Sequence, residues 1–286
     1  MINHPAELKI HQYLENAANG KSEMSDETID RVASDIAAAL KRQFGSGNKR
    51  KEFKLRMSNI GRPTCQLWFD KNKPEKALPK PTTFVMNMMI GDIVESVFKA
   101  VLTESNVAFK DTDTVSLSVG DIDNTYVSGS YDLIIDDAVD DIKSASDYSY
   151  RHKFDSYESL EESDPFGYIS QLAGYARAAG KKLGGWWVIN KASGQFKYVK
   201  AKTDVNKQMN KIIDTVNTVT LNDFKRCFSP IPETFRGKAT GNYILDDNCR
   251  FCDYRFECWP TLKELPSKVS KAKVPPIVQY IEKELV

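Results

Sequence analysis

The segment Asn248 to Pro260, NCRFCDYRFECWP, carries three of the five cysteines of the chain, Cys249, Cys252 and Cys258, spaced C-x2-C-x5-C. Five is an odd number, and the thiols are unevenly spread. That argues against the disulfide framework of a secreted protein and for a cysteine site in a cytoplasmic one. Three thiols in so short a window raise the question of a fourth ligand, and a shared ligand set would tie distant parts of the chain together.

With 286 residues, 28% of them charged and 41% hydrophobic, the chain has an ordinary globular composition and enough length for a substantial core. Its net charge of +1 creates no global field for nucleic acid, so any such site must come from local clustering. No apolar run reaches the length of a membrane span, and the first twenty residues lack the basic stretch and apolar core of a signal peptide. Residues 25–44 read as a helix capped by Ser25 or Asp26, acidic early and basic late. Residues 82–104 read as a helix with a largely apolar face. Short β-rich pieces follow at 107–119, 125–136 and 139–146. Residues 164–182 read as a helix with Pro165 in its first turn. Two strands are expected at 185–191 and 195–201, a helix at 204–226 and a short helix at 276–285. This order predicts an α/β core with a central sheet and helical additions at both ends. Trp186 and Trp187 are expected in the core.

One constellation carries chemistry. Asp132 falls in one expected strand, and DDIK opens the next. Strand alternation puts Asp141 and Lys143 on one face and Ile142 on the other. In a hairpin Asp132 approaches Asp141, and two close carboxylates repel unless a cation lies between them. Oxygen ligands suit Mg2+ or Mn2+, and a lysine beside the ion can orient water for phosphodiester hydrolysis. Solvated turn acids are the alternative. Gln171 and Tyr175, four apart, share a helical face. His4, His11 and His152 lie elsewhere, which speaks against histidine-based metal hydrolysis and Ser–His–Asp triads.

In order, Asp132, Asp141–Lys143 and Gln171–Tyr175 resemble the Asp, D/E-x-K and Q-x3-Y motifs of the PD-(D/E)XK superfamily, in its RecB-type branch. The resemblance implies a restriction-endonuclease-like core with a central mixed β-sheet flanked by helices. The resemblance spans roughly residues 58 to 260 and implies an iron–sulfur-bound C-terminal segment after the core, while the helix read at 25–44 puts a helical N-terminal region before it. Members place a Gly and, four residues on, a metal-binding His on the preceding helix. Here the pair is Gly91 and Glu95, still an oxygen ligand for a hard cation. The implied metal ligands are Glu95, Asp132, Asp141 and the carbonyl of Ile142. Lys143 would position the attacking water, and Gln171 and Tyr175 would orient Lys143 or the DNA backbone.

Cys65, in SNIGRPTCQLWFD, resembles the entry cysteine of the iron–sulfur members, among them the CRISPR-adaptation and AddB-type nucleases. The resemblance thus implies one [4Fe–4S] cluster on Cys65, Cys249, Cys252 and Cys258, pinning the C-terminal segment to the region before the core. Zn2+ on the same thiolates is the alternative. Cys227 is expected to be a buried small hydrophobe. The expected divisions are an N-terminal helical and basic region, 1–57, the nuclease domain, 58–260, and a tail with a short helix, 261–286.

For nucleic-acid contact, Lys49, Arg50, Lys51, Lys54 and Arg56 form a basic run with Phe44 and Phe53 interleaved, and RHKF at 151–154 is a second candidate. A solvated linker is the bland reading of the first. The resemblance implies a Mg2+- or Mn2+-dependent deoxyribonuclease, an exonuclease on DNA ends or single strands, in recombination, repair or replication. Its small stand-alone format resembles phage-encoded enzymes, which would work in the host cytoplasm beside recombination or replication proteins. No Walker A pattern is present, so no motor is built in. A non-catalytic DNA-binding or assembly subunit with the same fold, and a zinc-stabilised binding protein, are the competing functions.

Overall fold

In chain order the elements are α1 (Ala6–Ala18), α2 (Asp26–Phe44), α3 (Thr64–Asn72), α4 (Thr83–Glu104), β1 (Lys110–Ser118), β2 (Tyr126–Ile135), β3 (Ala138–Ala145), α5 (Tyr157–Glu162), α6 (Tyr168–Ala179), β4 (Lys182–Asn190), β5 (Phe196–Lys200), α7 (Val205–Leu221), β6 (Ile231–Phe235), β7 (Lys238–Ile244), α8 (Arg255–Cys258), β8 (Leu262–Pro266) and β9 (Ile277–Ile281). They come from a computed structural model that describes residues 3–45, 52–119 and 126–282. Two compact units divide the chain. One is Met1–Gly61 with Lys80–Asn217, and the other is Arg62–Pro79 with Thr218–Val286. The boundaries expected at 57 and 260 do not coincide with them. Among the described residues no helix is long and apolar enough to cross a membrane.

The first unit is built on a five-stranded mixed sheet of order β1-β2-β3-β4-β5. All neighbours are antiparallel except β3 and β4, which are parallel. A parallel pair needs a crossover, and the stretch through α5 and α6 supplies it. The β2–β3 hairpin turns on two residues, Asp136 and Asp137, both at positive φ. That is the conformation a two-residue hairpin demands, and aspartate tolerates it. Adjacent tryptophans of β4 face opposite ways, as strand alternation requires. Trp186 joins the core with Tyr131, Leu172, Tyr175, Ile212 and Val216, whereas Trp187 joins Ile10, Phe98, Leu102, Leu133, Ile142 and Tyr198. Helices α6 and α7 thus cover one face of the sheet, and α1 and α4 the other. Helix α2 begins as expected, with the Ser25 side chain accepting from the Thr28 N–H, and lies along α4 through Asp35–Ser96 and Arg42–Asp92 contacts, each 2.9 Å.

The second unit holds an antiparallel sheet of order β6-β7-β9-β8 and a core of Phe69, Leu245, Tyr254, Cys258, Trp259, Leu262 and Ile281. Segments far apart in sequence meet here. The Tyr254 hydroxyl donates to Asp70 at 2.6 Å, Lys73 pairs with Glu257 at 2.9 Å, and the Leu78 N–H donates to the Asp253 carbonyl at 2.9 Å.

Three expectations need correction. Residues 277–281 form strand β9, not a helix, and pair with both β7 and β8. Ile277, Val278, Tyr280 and Ile281 are β-branched or aromatic, and two flanking strands take up their backbone groups. The helix expected at 204–226 stops at Leu221, where Asn222 turns to φ 59. Pro165 is not in the first turn of α6. The helix starts at Tyr168 after Gly167 at φ 72, and the Asp164 carboxylate accepts from the N–H groups of Tyr168 and Ile169.

Candidate active site and cysteine site

The β2–β3 ladder runs from the hairpin as far as Leu133↔Asp140 and stops. One residue further along each strand stand Asp132 and Asp141. Where the strands part, the Asp132 Oδ2 accepts from the Ile142 N–H at 2.7 Å, taking a donor that the ladder leaves free. On its other side β3 slips register against β4 between Val139 and Asp141. Asp140 fills that bulge. Its carboxylate accepts from the Gly185 N–H at 2.7 Å, the Trp187 indole at 3.1 Å and the Tyr198 hydroxyl at 2.8 Å. A Cβ at Gly184 would collide with this carboxylate, so the bulge requires glycine there.

Asp141 is buried, and the Lys143 ammonium lies 2.6 Å from its Oδ2. The lysine thus holds that buried oxygen as a close ion pair. Burial, then the charge of Asp141, pushes the Asp132 carboxyl up to about 7 against the pull of Lys143. Asp141 is raised by burial and by Glu95, with Lys143 opposing. Burial works against the Lys143 charge, and the two aspartates outweigh it, so its pKa rises.

Glu95, on α4, is raised by burial and then by Asp132. Its Oε1 pairs with Lys99 at 2.7 Å, and Lys99 also holds Asp111 at 2.9 Å and donates to Thr112. The three carboxylates therefore feel one another while two lysines draw on them. As placed, no group of three or more His, Cys, Asp or Glu side chains among the described residues is arranged to hold a metal ion. The donor set is all oxygen and self-repelling, which in kind fits a hard divalent cation.

On α6, the Gln171 side chain donates to the Tyr175 hydroxyl at 3.4 Å. Tyr175 is buried, and burial, with the charges of Asp141 and Asp132, pushes its hydroxyl up. A residue that sequence reasoning passed over lies on this same face. The Tyr168 ring sits 5.0 Å from the Lys143 ammonium, and its spacing of three and seven from Gln171 and Tyr175 was the signal. Lys99 and Asp140 were missed as well. An interior lysine and an acid next to a motif acid look like surface residues until their partners are known.

The basic run is described only in part. Lys49, Arg50 and Lys51 lie outside the described residues, while Lys54 and Arg56 are exposed. The backbone around these two is held by Asn59, which donates to the Lys54 carbonyl and accepts from the Arg56 N–H.

All five cysteines belong to the second unit and are unpaired thiols. Cys65 and Cys258 are buried, Cys249 and Cys252 half-buried. Cys227 departs from expectation. It is exposed, and its sulfur accepts from the Cys65 N–H at 3.1 Å, with the Thr64 hydroxyl 3.4 Å away. A hydrogen bond from the Cys65 thiol, working against burial, holds the Cys227 thiol down at about 6. Burial pushes the Cys249 thiol up to about 12 and the Cys252 thiol to about 11. Thiols are the right donors for iron–sulfur or zinc, and binding either would release their protons.

No family model matches this chain, and no curated protein does. A solved structure described as "Crystal structure of SSO0001" is similar over 82% of this chain and 96% of that one, with 15% sequence identity and a TM-score of 0.41.

Proposed function

We propose that the chain is a metal-dependent nuclease that hydrolyses phosphodiester bonds of DNA. The observation that carries this reading is the meeting of Asp132, Asp141 and Lys143 where β2 and β3 part, with Glu95 coupled to them. The mixed sheet, with its parallel β3–β4 pair and the crossover that carries α6, agrees with a restriction-endonuclease-like core. Glu95, Asp132, Asp141 and the Ile142 carbonyl would hold Mg2+ or Mn2+. Such an ion, when bound, polarises the scissile phosphate and its attacking water. Lys143 is cationic and anchored by Asp141, so it can orient that water and face the developing negative charge. Gln171 and Tyr175, hydrogen-bonded to each other on the helix whose Tyr168 ring lies 5.0 Å from the lysine, would orient Lys143 or the DNA backbone.

The same reading assigns a [4Fe–4S] cluster to Cys65, Cys249, Cys252 and Cys258, as a structural crosslink of the second unit, with Zn2+ as the competing occupant. Its support is the gathering of these thiols in one unit built from two distant chain segments.

The test is end-labelled single- and double-stranded DNA incubated with anaerobically purified protein and Mg2+ or Mn2+. Cleavage is expected with the ion and none in EDTA. Asp141→Ala should abolish cleavage and leave a folded protein. Undiminished cleavage by that variant would remove the assignment, and a folded wild type inert on both substrates would favour the non-catalytic DNA-binding subunit.

A further inference from the structure

Resting on the nuclease reading, we propose that Phe166 and Tyr168 form a platform on which the bases of single-stranded DNA stack beside the lysine of the candidate site. Three rings step outward from the core. Phe154 is buried, Tyr168 is half-buried and Phe166 is 49% exposed. Phe154 and Tyr168 lie 6.0 Å apart at 24°, and Tyr168 and Phe166 5.6 Å apart at 22°. Successive rings are therefore close to parallel, and the run ends on the half-exposed Phe166. A nucleobase is a flat ring of matching chemistry, and stacking accepts any base.

Charge is arranged to suit a strand and not an apolar ligand. The Lys153 ammonium lies 4.8 Å from the Phe166 ring centre and 4.7 Å from that of Tyr168, and Lys143 lies 5.0 Å from Tyr168. Cations at the rings offer contacts for the phosphates of a bound strand. Lys153 ends a π-helical turn, Ser149–Lys153. On the same turn His152 packs against the exposed Tyr148, with ring centres 4.5 Å apart.

The platform is also held still. Gly167 has φ 72, and its backbone lies so close to that of Gly61 that neither position has room for a Cβ. Asp164 caps the two following N–H groups. An exposed phenylalanine on a pinned loop loses little conformational freedom when a base stacks on it. Duplex DNA has its bases stacked and paired already, so the platform selects unpaired strands.

The experiment measures affinity of the full-length protein in EDTA for a labelled single strand, the same strand with abasic sites, and the duplex. The single strand should bind at least about tenfold tighter than the abasic strand, the scale of stacking one base on an aromatic residue. Phe166→Ala should erase that difference, and Phe166→Tyr should keep it. Because Phe166 is exposed, neither change threatens the fold. Equal affinity for normal and abasic strands, or a difference that survives Phe166→Ala, overturns the platform. Cleavage with Mn2+ on the same preparation separates the two ideas. Cleavage without base discrimination removes the platform and leaves the nuclease, whereas base discrimination without cleavage keeps the platform and removes the nuclease.

Discussion

Asp140 and Asp141 are neighbours with opposite duties. Asp141 turns to Lys143 and the candidate metal site. Asp140 closes a bulge, holding Gly185, Trp187 and Tyr198. Strand alternation made the Asp141–Lys143 face legible from sequence. It said nothing of Asp140, because a buried acid announces itself only through its donors. Gly184 is where the two duties meet, since the bulge that its missing side chain permits sets the aim of Asp141. Gly184→Ala should cost about 2 kcal/mol or more, read by urea denaturation, with the loss of cleavage following the loss of register. Lys143→Ala is expected to keep the fold and reduce cleavage at least about a hundredfold, with DNA affinity in EDTA largely retained. Loss of affinity and fold together would make Lys143 a structural partner of Asp141 and nothing more.

At the scale of elements, periodicity recovered what is periodic. Helices α2 and α4 and strands β2 to β5 fall within a few residues of expectation, since each has a face that must be buried. The sheet of the second unit was not legible. Its strands are short, and β9 owes its conformation to partners that precede it by tens of residues. The cysteine spacing marked a candidate site, but the exposure of Cys227 and its proximity to Cys65 emerge only in three dimensions. That juxtaposition sharpens a prediction about iron content after anaerobic purification. Cys65→Ser and Cys258→Ser should each strip the iron and lower the melting temperature, because both thiols are buried in the unit. Cys227→Ser should keep about four irons per chain. Iron lost from Cys227→Ser but retained in Cys65→Ser would exchange the roles of the two residues. A colourless wild type loaded with zinc would replace the cluster by a tetrahedral ion.

For the molecule as a whole, stability should depend on pH in a way set by the interior acids. Asp132 and Asp140 titrate at about 7 folded, against 3.8 for an ordinary aspartate, chiefly through burial. Between those values the native state holds more protons than the unfolded chain, so stability falls as pH rises from about 4 to about 7. The raised Lys143 adds no slope there, being charged in both states. Mg2+ competes with protons for Asp132 and should raise the melting temperature more at pH 8 than at pH 5.5. Equal gains at both values would place any bound ion elsewhere. The second unit carries a consequence in time. Its strip Arg62–Pro79 is separated in the chain from the residues it packs with, Thr218 onward. At about 5–20 residues per second, a ribosome releases that strip roughly ten seconds or more before Tyr254 and Cys258 exist to meet Phe69, Asp70 and Cys65. The sheet of the first unit can close during this wait, while Phe69 and the Cys65 thiol stay open to chaperones and oxidants. Any site that uses Cys65 together with Cys249, Cys252 and Cys258 can therefore assemble only late in synthesis.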